Sequence, residues 1–242
     1  MMRFSVTPFI AIALAGCAPA VIQPPNIDAV PMQENASQSG VTCVLEGEYP
    51  LVTGTTPYQA VDEINALIRE KITDTYSEGV QDCPSMYLEL IEPDSILKET
   101  TQFGFHVELN EKNLLSITHF ASHYLEGAAH PTNLLDAFTV DVATGKQYSL
   151  ASLFRIGSPY RERLIGIAQE QMRRDGIVAS DEGQTDFSEW IFYFRPNHLV
   201  LGNFFTIHAL QAMQVAIPLS ELADIAREDG PIARLLGTTP SI

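Results

Sequence analysis

From Phe103 to Lys146 the chain falls into three apolar, β-prone runs parted by turn signals. The first is Phe103-Gly-Phe-His-Val-Glu-Leu-Asn110, and the second is Leu114-Leu-Ser-Ile-Thr-His-Phe-Ala-Ser-His-Tyr124. After the corner Gly127-Ala-Ala-His-Pro131 comes Leu135-Asp-Ala-Phe-Thr-Val-Asp141, closed by Thr144-Gly145-Lys146. Runs of this kind in succession predict consecutive antiparallel strands. Upstream, Cys43 to Val52 reads as a strand whose Pro50 suggests an edge position. Thr56-Pro57-Tyr58-Gln59 has the form of a helix start. Val61, Ile64, Ile68 and Ile72 then share one helical face, with Gly79 as the stop. Met86 to Ile91 reads as a further strand with Cys83 at its entrance.

Downstream, Ser149 to Phe154 suggests a short helical turn. Ser158-Pro159 opens a helix carrying Leu164, Ile165, Ala168 and Met172, with Arg173 and Arg174 in its last turn and Gly176 ending it. Ile177 to Thr185 reads as a polar loop. Trp190 to Phe194 and Leu199 to Ile207 flank Arg195-Pro196-Asn197, the plainest hairpin signal in the chain. Gln214 to Ile217 adds a strand, and Leu219 to Glu228 a last helix stopped by Gly230-Pro231. The pattern predicts a single α+β domain over residues 43–242, mainly antiparallel sheet with helices packed on one face.

Before that domain the pattern changes twice. Met1-Met2-Arg3 followed by the apolar stretch Phe4 to Leu14 reads as an export signal, too short to span a bilayer. It ends in Leu14-Ala15-Gly16-Cys17, which resembles a bacterial lipobox. The resemblance implies removal of residues 1–16 and acylation of Cys17 by several chains, enough for stable anchoring in a lipid bilayer. Ala18 after the cysteine points to the periplasmic face of the outer membrane if the host is Gram-negative. Residues 17–42 hold Pro19, Pro24, Pro25 and Pro31 among polar residues and read as a lipidated flexible tether.

Charge narrows the partners. Loss of Arg3 with the leader leaves 13 basic against 30 acidic residues, a net charge of −17. Nucleic acid is a poor partner for such a surface, and cationic proteins are better ones. Beyond Cys17 the chain has only Cys43 and Cys83, an even pair in an exported protein, which predicts a disulfide. No P-loop, HExxH, GxSxG or CxxC is present. His119, His123 and His130 could in principle hold a zinc ion. However, residues four apart on a strand lie about 13 Å apart, too far to share a metal unless the strand bends.

Several short motifs occur in a fixed order: Glu48-Tyr-Pro-Leu51, Ile64-Asn65, Leu114-Leu-Ser-Ile-Thr118, Tyr124-Leu-Glu-Gly-Ala-Ala-His-Pro131, Asp141 with Thr144-Gly145-Lys146, Leu150-Ala-Ser-Leu-Phe154 and Ile217-Pro218. Together they resemble the RsiV/PdaC-like extracellular domain, found in lysozyme-sensing anti-sigma-V factors and as the non-catalytic domain of peptidoglycan deacetylases. The family usually has two glycines before Ala-His, where this chain has Ala128 in the second place. It also usually has an Ala-Pro-Tyr run where this chain reads Ile207-His208-Ala209-Leu210-Gln211-Ala212. The resemblance implies a non-enzymatic, cofactor-free binding lipoprotein of the cell envelope whose partner is lysozyme-like protein or peptidoglycan. The deacetylase motif Thr-Phe-Asp-Asp-Gly is absent, and no segment before the anchor is expected to reach a sigma factor. The expected binding residues are those of the corner: Tyr124, Gly127, Ala129, His130 and Pro131. The alternative is a metal-dependent envelope hydrolase using His119, His123 and His130.

Overall fold

Five strands make the larger sheet of this computed structural model, which describes residues 23–54, 57–88, 95–176, 190–203 and 214–238. The strands are β1 (Asn26–Gln38), β2 (Val41–Thr53), β3 (Leu97–Glu111), β4 (Leu114–Leu125) and β5 (Thr132–Asp141), and they lie in chain order. Every pairing is antiparallel except β2 with β3, which runs parallel from Val41 opposite Leu97 to Gly47 opposite Phe103. The expected leader, Cys17, Thr56, the Ile177–Thr185 loop and the Ile207–Ala212 segment lie outside the described residues.

The sheet corrects the expected tether. Asn26–Gln38 is a 13-residue edge strand paired along its length with β2. Its signal is a period of two at Val30, Met32, Glu34 and Ala36, all half-buried, with Pro31 in phase on the exposed face between them. Proline is tolerated on an edge, where one side of the strand has no ladder to complete. With β1 outside it, β2 is not an edge strand. Pro50 fits because it lies beyond the stretch paired with β3 and faces only Ala29 of β1.

A long helix packs on one face of this sheet. It comprises α1 (Tyr58–Ile68), a π-helical segment (Arg69–Asp74) and α2 (Thr75–Tyr87). Gly79 does not stop it, and residues 86–88 are helical or turn rather than strand. Glycine costs roughly 1 kcal/mol within a helix. Burial of Tyr76, Val80 and Cys83 on the helix's inner face offsets that. The Cys43–Cys83 disulfide is present, with Cα atoms 6.2 Å apart. It therefore ties β2 to a helix and not to a neighbouring strand. Asn65 makes a second tie, its amide accepting from Val52 N and donating to Val52 O, each at 2.9 Å. Ile64, Ile68 and Ile72 meet Leu45, Leu115, Ile117 and Phe138 in the core between helix and sheet.

The opposite face is covered at one end by a second, antiparallel sheet of β6 (Ile191–Arg195), β7 (His198–Gly202) and β8 (Val215–Pro218). The expected hairpin turn is there, with Asn197 supplying a positive φ of 64°. Phe194 N donates to Ser116 Oγ at 3.1 Å, and Arg195 pairs with Glu108 at 2.8 Å. A separate core forms beneath this sheet, where Leu109 and Leu114 meet Phe194, Leu199 and Ile217, with α3 (Tyr160–Arg174) and α4 (Pro231–Leu236) packed in. The expected helix at Leu219–Glu228 is instead a short 3₁₀ turn, Leu219–Glu221, followed by turns. Gly230-Pro231 starts α4, since proline suits a first helical turn. The α+β class, dominated by antiparallel pairing in a single domain, is as the sequence predicts.

Candidate functional site

Alternation along β4 divides its side chains between two environments. Leu115, Ile117 and Ala121 are buried in the core under the helix, and Ser116 on the other face meets the second sheet. Phe120 and Tyr124, four residues apart on that same other face, are 38% and 43% exposed. Phe120 stacks on His106 of β3, ring centroids 5.4 Å apart. The ring also overlies Gly104, where a Cβ would come within 2.8 Å of it. Beside this strip Gln102 Nε2 donates to Glu46 Oε1 at 2.9 Å. Aromatic area thus sits next to carboxylate on an open sheet face.

The strip runs into the corner between β4 and β5. Glu126 N donates to Lys98 O at 2.8 Å, and Ala128 N to Leu125 O at 2.9 Å, closing the turn. Gly127 has φ +89°, and no atom lies within 4 Å of where its Cβ would stand. The turn therefore needs glycine for its backbone angle and not for room. Ala129 and His130 are exposed and Pro131 half-buried, with His130 Nδ1 3.1 Å from Pro131 O. The structure thus brings Tyr124, Gly127, Ala129, His130 and Pro131 to one exposed end of the sheet. Phe120 and His106 extend that surface; two aromatic residues four apart, and so on one face of a strand, are the signal the sequence offers for it.

The histidines do not converge. His119 and His123 face the helix side, away from Phe120 and Tyr124. His119 is buried, its Nδ1 3.1 Å from Tyr76 Oη and its Nε2 3.4 Å from Asp136 Oδ2. His123 Nδ1 lies 2.8 Å from Thr101 Oγ1 and 3.7 Å from Glu99 Oε1. His130 belongs to the exposed corner. Among the described residues no three His, Cys, Asp or Glu side chains are placed to hold a metal ion. The three-histidine zinc arrangement is therefore not formed, because the strand carries each imidazole to different partners.

The carboxylates beside these rings are charged at neutral pH. The His123 hydrogen bond, helped by the Tyr87 hydroxyl and opposed by burial, holds Glu99 below its ordinary 4.5. At Asp136 burial acts upward, but His119, Lys71 and the Ala137 N–H outweigh it and leave the group below 3.8. Burial, then the charge of Asp136, pushes the Tyr76 hydroxyl up to about 12. The Asp141 motif is structural: its carboxylate accepts from Ala143 N, Thr144 N, Tyr148 Oη and Arg234 Nη1, fastening α4 to the end of β5.

A DUF3298 family member from Bacteroides fragilis superposes with a TM-score of 0.63 at 18% identity, covering 88% of this chain and 98% of its own. A DUF3298 family protein from Pseudomonas aeruginosa gives 0.56 at 10% identity, covering 87% and 97%. The chain has the DUF3298 fold. No family model matches the sequence, and no curated protein matches it. Among the described residues no helix is long and apolar enough to cross a membrane.

Proposed function

We propose that this protein is a non-enzymatic binding lipoprotein of the cell envelope, anchored through acylated Cys17, that captures a cationic, lysozyme-like protein at the β4–β5 corner. The observation that carries this reading is the exposed aromatic strip of Phe120 and Tyr124 running into His130 on a strongly acidic chain. Aromatic side chains supply anchoring area at low entropic cost, and the negative field steers a cationic partner toward it. Peptidoglycan is the second partner class, favoured by the resemblance of the corner motif to peptidoglycan deacetylase domains.

Two binding measurements separate the partners. Titration of the purified full chain with a cationic lysozyme should give saturable binding that weakens steeply between low and physiological salt, as screening of a long-range attraction requires. Co-sedimentation with peptidoglycan sacculi should be weak and insensitive to salt. Binding to sacculi alone would replace the protein partner with the polymer, and binding to neither would overturn the reading.

A further inference from the structure

On the other face of the larger sheet, away from the aromatic strip, a cavity of ≈ 450 Å³ lies between the long helix and β4 and β5. The π-helical segment supplies Glu70 and Lys71 to its wall, α2 supplies Tyr76, and the strands supply His119, Leu134 and Asp136. Interruptions of this kind within a helix are often found at functional sites. The volume falls within the roughly 300–1,000 Å³ of small-molecule sites. His119 is only 4% exposed, yet its Nε2 has no hydrogen-bond partner. Asp136 Oδ2 lies 3.4 Å away, at ion-pair distance without hydrogen-bond alignment, and Lys71 Nζ is 3.6 Å from the same oxygen. A buried polar atom left unpaired costs about 1–3 kcal/mol, so it calls for an explanation.

We infer that this cavity binds a small, uncharged, polyhydroxylated molecule of the sugar class, held by His119, Asp136 and Lys71. The hydroxyl is the group that fits. A hydroxyl oxygen entering between His119 Nε2 and Asp136 Oδ2, 3.4 Å apart and closed to water-sized groups until the Asp136 side chain shifts outward, completes the imidazole and donates to the carboxylate. It serves either tautomer of His119, because a hydroxyl both donates and accepts. A neighbouring hydroxyl then accepts from Lys71. Charge selects against other ligands: Glu70 and Asp136 repel an anion, Lys71 repels a cation, and Lys71 is already close to Asp136. Leu134 offers an apolar wall for the C–H face of a sugar ring. The site is separate from the corner and does not depend on what the corner binds.

Four ligands with related rings provide the test: glucose, cellobiose, glucosamine and glucuronate, each titrated into the full chain while the His119 ring resonances are followed by NMR. Glucose or cellobiose should shift them saturably, and both charged sugars should bind more weakly. Asp136→Asn should weaken the neutral sugar about tenfold or more, as loss of a hydrogen bond to a charged group does. Leu134 is 52% exposed, so Leu134→Trp narrows the mouth without disturbing the His119 contacts, and it should abolish the shift. Neither substitution should alter capture of a partner at the corner, so the two sites fail or stand separately. No saturable shift with either neutral sugar, a preference for a charged one, or an unchanged response in Leu134→Trp would overturn the assignment.

Discussion

Glu99 shows how single side chains set the pH behaviour of the fold. It is buried on β3, accepts from Tyr87 of α2 and pairs with His123 of β4, so it joins helix to sheet. Because its carboxyl titrates below 4.5 in the folded chain, the stability it contributes is fully present above that pH. That contribution is lost as pH falls through the lower, folded value. Asp136 behaves in the same way below 3.8. Urea melts taken from neutral to about pH 3 should therefore show a steep loss of stability in the wild type and a flatter profile in Glu99→Gln. Coincident profiles would mean that the pairing contributes nothing. His123 is legible in the sequence only as a polar strand residue. Its partners come from β3 and, through Glu99, from a helix distant in the chain, which no local spacing reveals.

At the scale of elements, the disulfide and β1 carry the clearest consequences. The bridge closes a separation of 40 residues, and the chain-entropy model gives it about 4 kcal/mol. Cys43→Ser or Cys83→Ser should lower unfolding stability by about that much, and the double variant should be little worse than either single one. Additive losses would contradict a shared bond. Removing residues 23–38 should cost at least as much, because it exposes the edge of β2 and breaks the Ser77–Glu34 contact from α2. A deletion that melts like the full chain would show that β1 is an accessory strand. Strands β3 to β5 and the β6–β7 hairpin are legible because apolar runs and turn residues coincide. β1 is hidden by Pro31 and its polar outer positions, and the continuation of the helix past Gly79 is decided by burial and a covalent bond. Both depend on contacts distant in sequence. The corner's residues are likewise legible as a turn, but its joining to Phe120 and His106 depends on the β3–β4 register.

At the scale of the whole molecule, an acidic domain with one open aromatic face is proposed to stand at the membrane on an acylated Cys17. Cys17→Ser should move the protein out of the membrane fraction; a variant that still sediments after a salt wash would rule out that anchor. Capture at the corner is the central claim, and it is tested most directly by titrating a cationic lysozyme into the wild type, His130→Ala and Tyr124→Ala, with a thermal melt of each. The account predicts that both substitutions weaken binding about tenfold or more, as loss of an interface anchor does, while Tm stays close to that of the wild type. Unchanged affinity in both variants, or a loss no larger than the fall in stability, would contradict it.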